Sequence, residues 1–313
     1  MKFFHHVKVP LKDQQHLRYV WRNPTGTSAT QTLCMTRHPF GAASSPFLCQ
    51  FVLHRAAKDS SADLPSAAER VKRNFYVDNY MDSFDTVEEA KSTCKDIIEL
   101  LRRAGLKINE WCSTSKALLS HLPSSDLIVP FIDLDVDPLP TGRMLGVRLN
   151  PNTDTFGYKI KVNPAVKTKR EILSEVATQY DPLGWLAPVT ITARILLQNV
   201  WLSGTGWDEP VAPKLLSLWQ SWASNLHHVE NLSIPRLLTP TTDGIELHAY
   251  CDASEAAYGC VLYARSEIGH KIHVNIIASR SKVAPIKPMT IPKLELQAAV
   301  LAVRVVTHCH KEI

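Results

Sequence analysis

Apolar residues recur at Val87, Ala90, Cys94, Ile97, Ile98 and Leu101. Steps of three and four put them on one face of a helix. Thr86 and Glu89 frame its start as a capping box, and Gly105 ends it. A second box, Thr168 with Glu171, predicts a helix that stops at Asp181-Pro182-Leu183-Gly184. Further helices are expected over 45–57, 188–202, 211–226 and 292–311. Two-residue alternation predicts strands at 3–9 and 17–21, then near 144–149, 157–162, 245–251, 258–264 and 272–278. The stretch NFYVDNYMDSF reads as an aromatic, β-branched hairpin with its turn at Asp78-Asn79. LKDQQH reads as a polar turn, 58–66 as a polar loop, and the Pro- and Asp-rich residues 121–140 as a linker. A second boundary falls in the Pro-bearing stretch 233–244.

Helices and strands in this order predict an α+β chain in three parts, 1–120, 121–240 and 241–313. With 313 residues and 45% hydrophobic composition, a sizeable core needs no disulfide staple. Seven scattered cysteines form no CxxC pair, which fits free thiols in a reducing compartment. The expected location is therefore intracellular, cytoplasmic or nuclear. The net charge of +5 suits a polyanionic partner. No apolar run is long enough to span a membrane. The start, MKFFHHVKVP, reads as a strand already in progress, so the chain is expected to begin inside a domain.

Three carboxylates stand out. Asp78 sits in an apolar hairpin flanked by aromatics, where hard oxygen ligands could hold Mg²⁺. Asp252 ends an apolar strand in HAYCDASEAAYGCVLY, and Glu295 lies on the amphipathic helix IPKLELQAAVLAVRVV. One carboxylate on a strand and one on a packed helix can converge on a metal ion. Glu255 reads as a solvated turn residue. Basic residues Lys72, Arg73, Arg102, Arg103, Lys167, Lys169 and Arg170 are candidates for phosphate contacts. The His308-Cys309-His310 cluster lacks zinc-site spacing. Asp154-Thr155-Phe156-Gly157 breaks the Asp-Thr/Ser-Gly turn of aspartic proteases by an inserted Phe, and Asp243-Gly244 lacks the middle residue.

A strand bearing Phe4, a helix opened by Pro39-Phe40-Gly41 and Ser44-Ser45-Pro46-Phe47, then Tyr76-Val77-Asp78-Asn79, a helix, and GLKINEW follow one another. That order resembles the palm of reverse transcriptases. LGVRLNPNTDTF, SEVATQYDPLGWLAPVTITARILLQNVW, GWDEP and LSIPR resemble the Pol polyprotein of BEL/Pao retrotransposons, in the segment often labelled a peptidase region. The Asp252 and Glu295 stretches resemble the opening half of a retroelement ribonuclease H.

The resemblance implies a partial palm, a helical thumb or connection region, and a partial ribonuclease H-like domain. It implies RNA-directed DNA synthesis with RNA degradation, Mg²⁺ as cofactor, and an RNA/DNA template–primer and RNA–DNA hybrid as partners. It places Phe4 under the sugar of an incoming nucleotide, and Phe40 and Gly41 along the nucleotide pocket. It also puts the first polymerase carboxylate upstream of Met1 and two nuclease carboxylates beyond Ile313. Asn79 stands where the family pairs a second Asp with Asp78, so polymerase activity is expected to be lost. The alternatives are a non-catalytic nucleic-acid-binding remnant or domesticated copy and, more remotely, an aspartic-type peptidase.

Overall fold

The computed structural model describes residues 7–22, 29–39, 41–128, 142–144, 147–241 and 243–311. The chain forms two compact units, Met1–Pro140 and Thr141–Ile313. Residues 121–140 thus fall in the first unit and 141–240 in the second.

The first unit opens with the short helix α1 (Leu11–Gln14) and a 3-10 turn at Gln15–Leu17, where a polar turn was expected. An antiparallel ribbon follows, β1 (Arg18–Trp21) against β2 (Gln31–Cys34). Its core is a packing of three helices, α2 (Ser45–Asp59), α3 (Pro65–Asn74) and α4 (Val87–Arg103). Cys49, Leu53 and Ala57 meet Ala68 and Val71 of α3 and Ile97, Leu100 and Leu101 of α4, all buried. Each large aliphatic side chain in that set contributes about 1.5–3 kcal/mol by leaving water.

The ends of α4 follow from its sequence. Thr86 Oγ1 accepts the Glu89 N–H at 3.2 Å. Glu89 does not complete the box; its carboxylate takes Arg70 Nη2 at 2.8 Å instead. At the other end Gly105 adopts φ +71°. The Leu106 and Gly105 amides then donate to the Leu101 and Arg102 carbonyls, closing a Schellman turn. Helix α3 replaces the end of the expected polar loop. Pro65 suits its first turn, and Ala67, Ala68 and Val71 form its buried face. Between α3 and α4 the two-residue strands β3 (Phe75–Tyr76) and β4 (Asn79–Tyr80) make the hairpin. Helix α5 (Lys116–Leu119) packs behind α4.

Among its described residues the second unit holds two sheets, four α-helices and a 3-10 helix at Leu226–Asn231. In the first sheet β5 (Gly142–Met144), β6 (Val147–Asn150), β7 (Thr155–Gly157) and β8 (Ile234–Pro235) are antiparallel neighbours in that order. The strand expected near 157–162 lies earlier in the chain: β7 ends at Gly157, and residues 158–162 are in no strand. Asp154 accepts from Arg236 Nη2 at 3.0 Å and Nε at 2.5 Å, which ties β8 to β7. Between β7 and β8 run α6 (Lys169–Thr178), α7 (Ala187–Leu202) and α8 (Pro213–Asn225). The Thr168–Glu171 capping box forms in full. Trp219 of α8 is fully buried, and its Nε1 donates to the Asn163 carbonyl at 3.0 Å.

The second sheet is a meander, β9 (Glu246–Ala253), β10 (Ala257–Ile268) and β11 (Lys271–Val283), in spatial order β11-β10-β9. Cys260, Leu262, Ala264 and Ser266 alternate as the buried positions of β10. Helix α9 (Ile291–Cys309) packs on β9 and β10 through Leu294, Ala298 and Ala302, spaced by four.

The far strand, β11, meets the segment that leads into α7. The register slips between Leu262 and Tyr263, so Ile277 bulges out of the β10 pairing. Trp185 Nε1 donates to the Ile277 carbonyl at 3.0 Å. The Ser279 N–H donates to the Leu183 carbonyl at 2.8 Å, and Ser279 Oγ to that of Gly184. Asp181 shapes this segment by accepting the Tyr158 hydroxyl and the Leu186 N–H, both at 2.8 Å. An edge strand that would expose unpaired backbone is therefore covered.

Candidate functional site

In the first unit the hairpin turn falls one residue earlier than expected, with Asp78 at its second position. Tyr76 pairs with Asn79, so the turn is Val77-Asp78 and Asn79 opens β4. The correction has a physical reason. A two-residue hairpin needs positive φ at its turn, and here Val77 supplies it at +57°. That conformation is costly for a β-branched residue. Cys49 Sγ donates to the Val77 carbonyl at 3.1 Å and helps hold the turn. Burial, then the nearby Asp78 carboxylate, push the Cys49 thiol up to about 11, so it stays a protonated donor.

Asp78 is half-buried and Asn79 exposed, with Asn79 Nδ2 3.4 Å from Asp78 Oδ1. The neighbouring acid, Asp82, is committed elsewhere. It takes Arg70 Nη1 at 2.7 Å and the Tyr80 hydroxyl at 2.5 Å. Burial and that hydrogen bond push the Tyr80 phenol well above its usual range. Gly41 has φ +83° with open space where a side chain would stand. Phe4 and Phe40 lie outside the described residues.

In the second unit Asp252 is exposed near the end of β9, opposite Gly259. Its Oδ1 accepts the Ala253 N–H at 2.8 Å. Glu295 is exposed in the first turns of α9, directly after buried Leu294. Among the described residues no group of three or more His, Cys, Asp and Glu side chains is placed to hold a metal ion. The Mg²⁺ fit is therefore partial. Asp78, Asp252 and Glu295 offer the hard oxygen donors the ion prefers. They do not build a two-ion centre from these residues alone.

Most of the basic candidates are engaged within the protein. Arg170 forks onto Asp208 at 2.7 and 2.9 Å. Lys169 is buried, donates to the Thr205 carbonyl, and stands 4.8 and 5.1 Å from the Trp201 and Trp207 ring centres. Arg102 and Arg103 both bind Glu99, and Arg103 also reaches Asp63. Those hydrogen bonds hold the Glu99 carboxyl down at about 2. A carboxyl depressed in the folded state contributes above its unfolded pKa. For Glu99 the contribution fades as pH falls from about 4.5 toward 2. An NMR titration should place its midpoint near 2, and Arg102→Gln should raise it. A wild-type midpoint in the ordinary carboxylate range would show that the pairing does not persist in solution.

The three-stranded meander, a carboxylate near the end of its first strand and a helix packed on it fit a ribonuclease H-like fold. Residues 168–313 match the family model described as the Pao retrotransposon-like RNaseH-like domain. That match supports a Pol region of a Pao retrotransposon. It also takes α6, α7 and α8 together with the meander. No curated protein matches the chain. Among the described residues, no helix is long and apolar enough to cross a membrane.

Proposed function

We propose that the chain is a piece of a Pao-type Pol polyprotein whose lineage chemistry is RNA-directed DNA synthesis coupled to RNA degradation, and that it binds nucleic acid without catalysing either reaction. The observation that carries the reading is the Pao match over 168–313, a stretch that holds both Asp252 and Glu295. Loss of polymerisation is supported by the hairpin. Two divalent ions need converging carboxylates, and Asn79 beside Asp78 offers only a neutral amide oxygen. In the nuclease-like unit, Asp252 and Glu295 would hold Mg²⁺ together with phosphates of the bound strand. A bound ion would supply Lewis-acid stabilisation of charge at the phosphodiester.

The test uses the full chain with Mg²⁺ or Mn²⁺. A labelled RNA–DNA hybrid should bind with salt-dependent affinity and remain uncut. A primed RNA template should give no extension above background. Extension abolished by Asp78→Ala, or hybrid cleavage abolished by Asp252→Asn, would overturn the non-catalytic part. Absence of any hybrid binding at low salt would overturn the rest.

A further inference from the structure

The ribbon β1–β2 keeps apolar and aromatic groups in water. Tyr19 is 40% exposed, Trp21 51% and Leu33 36%. Tyr19 and Trp21 are two residues apart, so they share one face. Tyr19 pairs with Leu33 and Trp21 with Gln31, which puts Leu33 on that face too. The ribbon is not a frayed end. Beyond β2 an isolated antiparallel bridge joins Lys8 and Arg37, with Val9 N–H donating to the Thr36 carbonyl and His38 N–H to that of Val7, both at 3.0 Å. Met35 N–H donates to the Leu17 carbonyl at 3.0 Å.

Two further observations bear on what covers this face. A cleft of about 380 Å³ opens at its root, lined by His16, Leu17, Arg18, Tyr19, Met35 and Pro39. The charge around it is one-sided. Residues 7–39 hold Lys8, Lys12, Arg18, Arg22 and Arg37 against the single acid Asp13. A protein partner with an apolar patch would explain the rings but not the charge. A nucleic-acid strand explains both.

We propose that the β1–β2 ribbon is a stacking platform for unpaired bases, and that its occupant is single-stranded nucleic acid. Side chains two residues apart on a strand stand roughly 6.7 Å from each other. That is about twice the 3.4 Å step between stacked bases, so a base fits between Tyr19 and Trp21. Leu33 extends the apolar floor across the ribbon. The cleft beside Tyr19 takes the adjoining base, and Lys8, Lys12, Arg18 and Arg22 draw the phosphates. Ring stacking tolerates any base, so the platform grips a strand without reading its sequence.

The inference rests on the reading of the chain as nucleic-acid-binding, and the experiment separates the two. Fluorescence anisotropy of the full chain is measured with labelled 12-nucleotide oligo(dT) and oligo(U), and with an RNA–DNA hybrid. Joint Tyr19→Ala and Trp21→Ala should weaken single-strand binding at least tenfold, by the per-base cost of losing a stacking ring. Hybrid binding should change less than twofold. Tyr19→Phe with Trp21→Phe, which keeps both rings, should retain single-strand affinity. Joint Arg18→Gln and Arg22→Gln should lower the salt slope by roughly two.

An alanine pair that binds single strands as wild type does, or a phenylalanine pair as weak as the alanine pair, overturns the platform. So does a chain that binds the hybrid but no single strand; the proposed function then stands. A chain that binds neither overturns both. A concentration-dependent dimer abolished by the alanine pair, with no oligonucleotide bound, assigns the ribbon to self-association and overturns the platform.

Discussion

Gly184→Ala should lower the stability of the Thr141–Ile313 unit by roughly 3 kcal/mol. Left-handed backbone costs an L-residue about 1–2 kcal/mol, and Gly184 has φ +75°. The larger problem is space. A Cβ at 184 would stand 1.7 Å from the Ser279 carbonyl oxygen and 2.6 Å from its carbon. These are backbone atoms of β11, so no rotamer relieves the overlap, and overpacking of this kind adds about 1–3 kcal/mol. Relief requires the start of α7 to lift from the strand. That breaks the hydrogen bond from the Ser279 N–H to the Leu183 carbonyl and pulls Trp185 off the Ile277 carbonyl.

Gly204→Ala is the matched control. Its φ is +74°, but nothing lies within 4 Å of the added carbon. It should lose only the conformational cost. For a unit of this size about 1 kcal/mol shifts Tm by roughly 2–4 °C. Thermal melts of the full chain should therefore separate the two variants by several degrees. Equal Tm values would show that the contact between Gly184 and β11 does not exist in solution.

The second large effect is expected at Trp219. The ring is fully buried among Val166, Ile172, Leu196 and Val200, and its centroid lies 5.0 Å from that of Trp222. Trp219→Ala removes the ring and leaves a cavity, at a cost of about 3–5 kcal/mol. The Asn163 carbonyl also loses its donor. Trp219→Phe keeps most of the packing and isolates the hydrogen bond, worth about 1–3 kcal/mol when one buried partner is stranded. Urea unfolding should rank wild type above Trp219→Phe and Trp219→Phe above Trp219→Ala. An alanine variant as stable as the phenylalanine one would mean the cavity collapses, contrary to the packing described.

Local signals carried well from sequence to structure. Helix α4 stands where its spacing put it, and the Thr168–Glu171 box forms as read. Helix α6 ends at Thr178, short of the Asp181–Gly184 stop, and β9, β10 and β11 occupy the three expected places. What the reading lacked was non-local or short. Strand β8 is two residues paired with a partner far back in the chain. No two-residue stretch carries a periodicity. Helix α3 went unread, because its short buried face of Ala67, Ala68 and Val71 sits among polar residues. The Val77 turn conformation was not legible, because a valine argues against positive φ.

For the candidate site the sequence offers residue types but little of their environment. Asp78, Asp252 and Glu295 could be picked out by residue type and neighbours. That Arg170 meets Asp208 and Arg103 meets Asp63 depends on tertiary packing. Glu99 lies on the same helix as its arginines, whereas Asp208 is 38 residues from Arg170. The exposed rings of Tyr19 and Trp21 were read only as strand formers. Exposure is a property of what packs nearby, and sequence gives no direct measure of it.

The β7–β8 pairing has a consequence for synthesis. Thr155 and Phe156 meet Pro235 and Ile234 only after α6, α7 and α8 have all been made. Until residue 236 leaves the ribosome, β7 keeps an open edge and Asp154 waits for Arg236. Assembly of this sheet is therefore late in translation. A chain stalled within α8 would present that edge to its neighbours, the state in which strands of different molecules join.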